Sequence, residues 1–571
     1  MNVTEMYDKW LNKATEDKDL IEELKSISGN ESEIYERFYR ELEFGTAGLR
    51  GEIGAGTNRM NIYTVRHATQ GLANYLKKKY AQASVAISYD SRIKAKLFAK
   101  EAARVLAANG ITAYLTNELE PTPVLSYAVR QLKCQAGIMV TASHNPAKYN
   151  GYKCYGNDGC QMTDSAAGEV YNEIIAVDCF EVKPALYDDA VRDGKIKIID
   201  DSLYDSYIED VYKQAVNKNI CDGAELSVVY TPLNGAGNKL VRRILDKTGV
   251  KNVTVVKEQE LPDGNFPTCP YPNPEFKEAL ELGLKLCSEC KPDLLLATDP
   301  DSDRVGIAVK NGSEYRLLSG NETGILLTEY ILSNRKRLGT LPEAPIMVKT
   351  IVTSPLVEKI AEKYGCELHD VLTGFKYIGE QILSLEKKNQ QDRYVFGFEE
   401  SYGYLAGTYV RDKDAVVASM LICEMAAYYK KQGLSLSEVM DRTYLEYGYY
   451  KNATFNYEFD GAAGMEHMAE IMSNMRSGCP HSIGGLKVVK HNDYLTHISE
   501  DYITGKQKSI DLPKSNVLSY SLEGGSKAII RPSGTEPKIK LYITAVGKDE
   551  SGSDVIGKAI HLDMMRLMGV E

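Results

Sequence analysis

The feature that most constrains the fold is a pattern of strand, turn, helix and strand that recurs along the chain. It occupies residues 83–116, returns at residues 226–256 and runs a third time from Ile346. Strands that alternate with helices predict parallel sheets whose two faces are covered by helices. The three copies are about 120–140 residues apart. They therefore predict three related α/β domains in series.

The length of the chain agrees with several domains. A single core stops growing well below 571 residues, so roughly three to five domains are expected. Residues 1 to about 40 mix charged and apolar residues at helical spacing, which predicts one or two amphipathic helices. From about residue 455, short strand-like runs flank turns, as is typical of an α+β domain. We predict an α/β protein with three related α/β domains of mixed or parallel sheets and a smaller C-terminal α+β domain around a central cleft. The predicted boundaries are 1–205, 206–322, 323–452 and 453–571.

Composition and charge argue against several classes of partner. The chain is 43% hydrophobic and 26% charged, as is ordinary for a soluble globular enzyme. Its net charge of −11 argues against nucleic acid or an anionic membrane as the partner. The charged N-terminus does not resemble a signal peptide, and no run approaches the roughly 18 apolar residues of a membrane span. The eleven scattered cysteines predict neither a disulfide framework nor a zinc site, and free thiols favour a cytoplasmic location.

An acidic loop follows the apolar run LLLAT and contains Asp299, Asp301 and Asp303. Alternate residues of an extended chain point to the same side, so these carboxylates repel one another unless a cation lies among them. Oxygen ligands favour a hard ion such as Mg²⁺, whereas the alternative is an acidic surface turn. An EF-hand is excluded, because Arg304 and Lys310 stand where it requires Gly and Glu. A phosphatase of the haloacid-dehalogenase type stays open, although Asp303 replaces its usual Thr or Val.

A second polar turn, Thr-Ala-Ser-His-Asn-Pro, follows the apolar run AGIMV. Pro146 disfavours helix at Asn145, so the turn should hold Ser143 and His144 at the end of a strand. Active sites of open α/β sheets collect at strand ends. From its setting alone, Ser143 is a nucleophile, a phosphate ligand or a turn residue. The chain has no G-x-S-x-G elbow, which argues against an acyl-transfer hydrolase.

Two glycine-containing segments differ in how well they suit a phosphate group. The segment RPSGTEPK places Arg531, Ser533 and Thr535 around Gly534, and a guanidinium, two hydroxyls and backbone N–H groups suit a phosphate dianion. The segment GEIGAGTNR, which begins at Gly51, lacks both the Rossmann spacing and the lysine of a P-loop. Only the first segment is therefore a candidate phosphate site.

Taken in order, the segments FGTAGLRG, TASHNP, DPDSDR, GFEES and RPSGTEPK resemble the α-D-phosphohexomutase superfamily of phosphoglucomutases and phosphomannomutases. The resemblance runs from about Phe44 to Lys538, with TASHNP, DPDSDR, GFEES and RPSGTEP falling one in each of four domains. The length and the N-terminal helices are most similar to the long bacterial phosphoglucomutases, a branch that also includes phosphopentomutases. The resemblance implies, in order, a phosphoserine, a metal-binding, a sugar-recognition and a phosphate-binding domain.

The resemblance also implies roles for individual residues. Ser143 would carry a phosphate that completes a Mg²⁺ shell with the three aspartates. Arg50, Lys153 and His144 would lie beside the transferred phosphoryl group, and either Lys153 or His144 would be the principal general acid or base. Glu399 and Ser401 would bind sugar hydroxyls. The full set of implied substrate-binding residues is Arg304, Lys376, Glu399, Ser401, Arg531, Ser533, Gly534 and Thr535.

The implied reaction interconverts α-D-glucose 1-phosphate and glucose 6-phosphate, with glucose 1,6-bisphosphate as intermediate and activator. Phosphoryl transfer depends on positioning and charge neutralisation, which the predicted metal and cations would supply. Mannose or pentose phosphates are alternative substrates on the same fold. A metal-dependent sugar phosphatase and an inactive sugar-phosphate-binding protein are the alternatives from other classes. A competent residue at each position expected to carry chemistry argues against the inactive protein.

Overall fold

The computed structural model of the protein describes residues 2–45, 48–459, 461–533 and 538–570, without the side chains of residues 461–463. The chain separates into two compact units. The first comprises Met1–Gly320 with Ile378–Ser435, and the second Asn321–Tyr377 with Leu436–Glu571. Among the described residues, no helix has both the length and the apolar content needed to cross a bilayer.

The first unit begins with three helices, so the prediction of one or two was wrong. Asp17 and Asn30 each accept a hydrogen bond from a backbone N–H of the following turn, and each therefore starts a new helix. The apolar faces of these helices contribute Trp10 and Leu24 to the core of the first sheet. The helices are α1 (Val3–Lys13), α2 (Lys18–Ser26) and α3 (Glu31–Phe38).

The first predicted repeat forms the centre of a mixed sheet. Its elements, with the flanking ones, are β1 (Gly48–Glu52), α4 (Ile62–Lys79), β2 (Ser84–Tyr89), α5 (Ala95–Ala108), β3 (Thr112–Leu115), α6 (Thr122–Gln131), β4 (Ala136–Val140), β5 (Tyr149–Gly156), α7 (Asp164–Ile175), α8 (Tyr187–Arg192), β6 (Ile196–Ile198) and α9 (Asp201–Tyr212). The strand order is β1-β5-β4-β2-β3-β6. The pairs among β4, β2, β3 and β6 are parallel, whereas β5 and β1 are added antiparallel.

The second repeat forms a sheet of the same kind. Its elements are β7 (Ser227–Thr231), α10 (Asn238–Thr248), β8 (Asn252–Val255), α11 (Lys257–Glu260), α12 (Lys277–Cys290), β9 (Leu294–Thr298), β10 (Val305–Asn311) and β11 (Glu314–Leu318). The strand order is β11-β10-β9-β7-β8, with β9, β7 and β8 parallel. Strand β9 is entirely buried, and the predicted acidic loop follows it. The apolar run is thus a central strand of the sheet, and the polar loop follows the carboxyl end of that strand.

The third repeat lies in the second unit, where β12 and β13 pair in parallel around α14. In the first unit, β14 and β15 pair antiparallel and precede the buried helix α16, which packs against α10. The elements of this region are α13 (Gly320–Leu338), β12 (Ile346–Thr350), α14 (Leu356–Tyr364), β13 (Glu367–Val371), α15 (Phe375–Lys387), β14 (Tyr394–Glu399), β15 (Gly403–Ala406), α16 (Ala415–Lys430) and α17 (Leu436–Tyr447). Three α/β repeats are thus confirmed.

The C-terminal part of the second unit is an antiparallel sheet with two helices, as predicted for an α+β domain. Its elements are β16 (Tyr449–Glu458), α18 (Gly461–Ser477), β17 (Ser482–Ile483), β18 (Leu486–Asp493), β19 (Ile498–Asp501), β20 (Lys506–Ser509), β21 (Leu518–Leu522), β22 (Lys527–Pro532), β23 (Lys538–Gly547) and α19 (Glu550–Met568). The strand order is β16-β23-β22-β21-β18-β19-β20, and β17 pairs with β18. Met472, Ile530 and Met564 belong to the core between sheet and helices.

Candidate active site

The turn after β4 is held by one buried arginine. The side chain of Arg92 has no exposed surface, and its Nε lies 3.4 Å from a carboxylate oxygen of Asp90. Its two terminal nitrogens donate to four backbone carbonyls of the turn, those of Ser143, Asn145, Pro146 and Tyr149. No sequence pattern distinguishes Arg92, which follows β2 in an ordinary strand–helix connection. Its contacts fix the path of the backbone that presents the candidate serine.

The backbone of Ser143 itself is unusual. Its φ of +53° lies in the left-handed region that residues other than glycine seldom adopt. Its N–H donates to Thr141 Oγ1 at 2.8 Å, and Thr141 donates in turn to Asp90 Oδ2 at 2.6 Å. Burial raises the pKa of Asp90 to about 6, although Arg92 opposes the shift. The predicted position of Ser143 at a strand end is confirmed.

The side chain of Ser143 contacts both the adjacent histidine and the acidic loop. Its Oγ lies 3.1 Å from Asp299 Oδ2 and 3.1 Å from His144 Nδ1. Burial, with help from the guanidinium groups of Arg304 and Arg50, holds the pKa of His144 well below its ordinary value. His144 is therefore neutral at neutral pH and can accept a proton through one ring nitrogen.

The three aspartates form one buried cluster. Asp299, Asp301 and Asp303 each offer a carboxylate oxygen, and these oxygens lie within 4.8 Å of one another. Burial and the neighbouring carboxylates raise the pKa of Asp299 and Asp303. Burial opposes ionisation of Asp301, yet the ammonium group of Lys153 and a hydrogen bond from Asp299 hold its pKa well below the usual range. Such crowded anionic oxygens need a compensating cation.

The hydrogen bonds of the cluster leave two of its oxygens for a ligand. Asp301 Oδ2 accepts from Lys153 Nζ and from Thr122 Oγ1, both at 3.0 Å. The other oxygens, Asp301 Oδ1 and Asp303 Oδ1, are buried and have no hydrogen-bond partner among the described residues. A buried polar atom without a partner is costly, whereas converging carboxylate oxygens are the ligands that hard divalent cations prefer. The residues therefore fit a metal ion of the Mg²⁺ class.

A lysine that sequence reasoning missed completes the basic side of the cluster. Lys413 Nζ lies 3.0 Å from Asp303 and 3.1 Å from Asp412. Burial works against its charge, but the carboxylates of Asp303, Asp412 and Glu399 hold the pKa of Lys413 above its ordinary value. In the sequence Lys413 stands between two aspartates, a pattern usually found on a solvated surface. Only the fold reveals that this ammonium is buried beside the candidate metal site.

Arg304 and Glu399 lie close to the same cluster. Arg304 donates to Glu275 at 2.7 Å, and its Nε lies 3.8 Å from Asp303. Glu399 ends β14 and is 5% exposed. Burial works against the charge of Arg304, but Glu275, the aspartates of the cluster and Glu399 together hold the pKa of Arg304 above its ordinary value. The turn that carries Ser401 is docked onto the second sheet, because the N–H of Val305 donates to the Tyr402 carbonyl at 3.1 Å.

Arg50 reaches the serine turn from an edge strand. Strand β1 pairs with β5 so that Gly48 is opposite Lys153 and Arg50 is opposite Gly151. The guanidinium of Arg50 donates to Asn145 Oδ1 at 3.4 Å. The two predicted cations Arg50 and Lys153 thus come from neighbouring strands beside the turn of Ser143.

The remaining predicted residues belong to the second unit or lie outside the described residues. Lys376 is in the first turn of α15, with its Nζ 4.9 Å from the centre of the Tyr377 ring. Arg531 lies in β22, and the N–H of Ser533 donates to the Lys538 carbonyl at 2.7 Å. Gly534 and Thr535 are outside the described residues. The contribution of these residues to the site of Ser143 stays a prediction.

Comparisons with known proteins agree with this arrangement. Three family models match, described as alpha/beta/alpha domains I, II and III of phosphoglucomutase/phosphomannomutase, at residues 41–179, 205–312 and 319–447. A phosphoglucomutase of Staphylococcus saprophyticus is 39% identical over 507 residues, covering 88% of this chain and 90% of the relative. A phosphoglucomutase of Staphylococcus aureus is 37% identical over 546 residues, covering 93% of this chain and 96% of the relative.

Two solved structures share the fold at low sequence identity. One is a phosphoglucomutase/phosphomannomutase family protein from Burkholderia thailandensis, 16% identical with a TM-score of 0.66, covering 92% of this chain and 97% of that chain. The other is parafusin, a phosphoglucomutase from Paramecium, 17% identical with a TM-score of 0.68, covering 93% of this chain and 96% of that chain. At these identities the likeness establishes the fold alone.

Proposed function

Because this chain belongs to the phosphoglucomutase/phosphomannomutase family, we propose that it interconverts α-D-glucose 1-phosphate and glucose 6-phosphate through glucose 1,6-bisphosphate. The observation that carries the proposal is the 3.1 Å approach of Ser143 Oγ to Asp299 in the acidic cluster. A serine hydroxyl beside candidate metal ligands suits phosphoryl transfer, because a metal ion there would neutralise charge on the moving group. The names of the staphylococcal relatives support glucose as the sugar.

Ser143 is the residue that gives and takes back the phosphoryl group in this proposal. The bond from phosphorus to Ser143 Oγ breaks as a new bond forms from phosphorus to the free hydroxyl of the sugar monophosphate. The bisphosphate then turns over, and its other phosphate returns to Ser143. A Mg²⁺ ion held by Asp299, Asp301, Asp303 and the serine phosphate would neutralise charge on the moving group.

The chain's own cations position the reacting groups. Arg50, next to the serine turn, would bind oxygens of the moving phosphoryl group, since a guanidinium can donate two parallel hydrogen bonds. Lys153 would exchange a proton with the sugar hydroxyl. The neutral ring of His144, 3.1 Å from Ser143 Oγ, can hold that proton instead. Both groups are within reach of the site, and separate substitution would distinguish them by their pH profiles.

The other predicted residues would bind the sugar and its second phosphate. Glu399 and Ser401 are two residues apart and would accept from and donate to adjacent sugar hydroxyls. Arg531, Ser533, Gly534 and Thr535 would hold the phosphate that does not react, while Arg304 and Lys376 would contact the substrate. Since either end of the bisphosphate must be bound in turn, these contacts must suit two orientations of one sugar.

The proposal is tested first at Ser143. Intact mass and peptide mapping should find a phosphate on Ser143 in active protein. Ser143→Ala should lose the phosphate and all mutase activity, because the acceptor atom is gone. Ser165→Ala, which removes an exposed hydroxyl in the same part of the fold, should behave as wild type. Full mutase activity in Ser143→Ala would overturn the mechanism.

The substrate is tested by product analysis. The value of kcat/KM should be highest for glucose 1-phosphate among glucose, mannose and ribose 1-phosphates, each assayed with Mg²⁺ and a trace of its bisphosphate. A tenfold preference for ribose, about 1.4 kcal/mol, would reassign the substrate but keep the mechanism. Stoichiometric release of inorganic phosphate would instead identify a phosphatase.

A further inference from the structure

The loop of residues 54–59 is held by the N-terminal helices. Glu23 of α2 accepts a hydrogen bond from the N–H of Ala55 at 2.8 Å. Arg37 of α3 donates to the other oxygen of Glu23 and lies 3.4 Å from the Ala55 carbonyl. The side chains of Glu23 and Arg37 are 27% and 14% exposed. This partly buried ion pair therefore holds the backbone of the loop through hydrogen bonds at Ala55.

The end of α3 and the chain after it add backbone contacts to the same loop. The Arg37 carbonyl accepts from the N–H of Asn58 at 3.0 Å. Thr57 donates its hydroxyl to the Arg40 carbonyl at 2.7 Å, and its own carbonyl accepts from the N–H of Leu42 at 3.0 Å. The loop is thus bound along most of its length.

Two glycines make this close approach possible. A Cβ atom at Gly54 would lie 2.7 Å from a carboxylate oxygen of Glu23, and one at Gly56 would lie 2.6 Å from the Arg37 carbonyl. Both residues have positive φ, at +156° and +128°. A side chain at Gly54 would push the Glu23 carboxylate away from the loop, and one at Gly56 would collide with the backbone of α3 at Arg37. The two glycines therefore leave the space that the ion pair of Glu23 and Arg37 occupies.

The loop continues directly from the strand that carries Arg50. Strand β1 is the edge strand of the first sheet, with β5 as its one neighbouring strand among the described residues. An edge strand lacks the ladder that would hold its other side, so contacts from outside the sheet can restrain it. Leu42 covers that strand, because a Cβ at Gly51 would lie 2.7 Å from its side chain. The Glu52 carbonyl accepts from the N–H of Met60 at 2.7 Å, which closes the loop onto the strand.

We propose that Glu23 and Arg37 are positioning residues that lock the loop of residues 54–59 and thereby fix Arg50 beside the phosphoryl group of Ser143. The N-terminal helices are then part of the catalytic apparatus and not merely a cover for the core. The role of Arg50 rests on the proposed function, whereas the locking of the loop does not. A displacement of a catalytic group by about 1 Å can cost about 100-fold in rate, so a small loosening of β1 would be detectable.

Two carboxylates on the same arginine provide a matched pair of variants. Glu33 also pairs with Arg37, at 3.2 Å, but among the described residues its carboxylate accepts no hydrogen bond from the loop. Glu23→Ala should lower kcat about 10- to 100-fold, with a smaller change in KM. Glu33→Ala should stay within about twofold of wild type, since exposed ion pairs contribute little. Equal losses in the two variants would overturn the proposal.

A double substitution separates positioning from simple stability. If Glu23 acts through Arg50, Glu23→Ala should cost little extra activity in an Arg50→Lys background. Full additivity of the two losses would contradict the proposal. Glu23→Gln, which keeps the size of the side chain, serves if Glu23→Ala does not fold.

Hydrogen exchange tests the lock independently of the reaction. Amides of residues 48–59 should exchange faster in Glu23→Ala than in Glu33→Ala, with little change in the sheet core. Unchanged exchange in this segment would overturn the proposal whatever the activity. A wild-type protein that fails to interconvert glucose phosphates would overturn the proposed function, while the exchange result would still decide whether the loop is locked.

Discussion

The two oxygens of the Asp301 carboxylate have different surroundings. Lys153 and Thr122 both donate to Oδ2, whereas Oδ1 is buried without a hydrogen-bond partner among the described residues. Thr122 also donates its backbone N–H to the Asp301 carbonyl at 2.9 Å. One oxygen therefore orients the side chain, and the other is available to a cation.

Replacing the Asp301 carboxylate by an amide tests whether one of its oxygens binds a cation. Asp301→Asn should lower kcat by several orders of magnitude, because the amide removes a negative charge from the proposed metal site. Calorimetric titration with Mg²⁺ should show weaker binding by the variant. Asp246→Asn, at an exposed aspartate of the same sheet region, should match wild type in both measurements. Normal turnover of Asp301→Asn in the presence of a chelator would mean that the loop is only an acidic turn.

Sequence reasoning found the site residues that lie in a recognisable local pattern. It missed the residues whose partners are far away along the chain. Ser143 and the three aspartates follow apolar strands, and a polar turn at a strand end is recognisable. Arg92 and Lys413 are charged residues whose burial depends on partners 51 and 110 positions away along the chain, at Ser143 and Asp303. Such partners become neighbours only through the sheet topology, which local patterns do not specify.

At the scale of elements, α6 begins beside an unusual buried acid. Glu120 is 5% exposed, and its backbone is tied to β2 through Ser88 and Tyr89. Burial, with a smaller effect of Glu118, raises the pKa of Glu120 to about 8. The folded protein therefore binds a proton at this position that the unfolded chain releases near its ordinary pKa of 4.5.

This difference in proton binding makes stability depend on pH. The contribution of Glu120 to the stability of the folded state is fully present below about pH 4.5. It is lost as the pH rises through about 8, because the buried carboxylate then becomes charged. Glu120→Gln removes the titration. The difference in melting temperature between Glu120→Gln and the wild type should therefore shift in favour of the variant as the pH rises from 5 to 9. The corresponding change in the free energy of unfolding is at most about 5 kcal/mol. A pH-independent difference between the two proteins would show that Glu120 is not buried in its neutral form.

The elements themselves were predicted unevenly. The three strand–helix–strand repeats were predicted because apolar strands and helical spacing are strong local signals. The N-terminal helices were undercounted, because the caps at Asp17 and Asn30 interrupt a continuous amphipathic pattern. The antiparallel addition of β1 and β5 to the first sheet was not predicted, since pairing partners are decided by tertiary contacts and not by the strand sequences.

At the scale of the whole molecule, residues from three α/β regions of the first unit form one network of hydrogen bonds and ion pairs. Tyr155 of β5 donates to Asp412 at 2.7 Å, and Lys413 lies between Asp412 and Asp303 of the second sheet. All of these side chains are buried or nearly so. Asp412 and Lys413 therefore link the candidate metal cluster to the first sheet, although they lie more than a hundred residues after the cluster in the sequence.

Two tyrosines of β5 allow this link to be tested against an internal control. Tyr155 and Tyr152 are both fully buried, and their three-residue separation places them on opposite faces of the sheet. Tyr152 shares a hydrogen bond with Thr69 at 3.1 Å, away from the acidic cluster. Each Tyr→Phe substitution therefore removes one buried hydroxyl from the same strand, and each should cost about 1–2 kcal/mol of stability.

Only Tyr155→Phe should affect catalysis. Without the hydroxyl, Asp412 loses the contact that orients it toward Lys413, and the charge balance around Asp303 changes. We expect kcat to fall about tenfold, equivalent to about 1.4 kcal/mol, in Tyr155→Phe. Tyr152→Phe should keep the wild-type kcat despite a similar loss of melting temperature. Steady-state rates and melting curves of the two variants, measured side by side, separate the two effects. Parallel losses of activity in both variants would mean that general destabilisation of β5, and not the chain from Tyr155 to Asp303, connects the first sheet to the site.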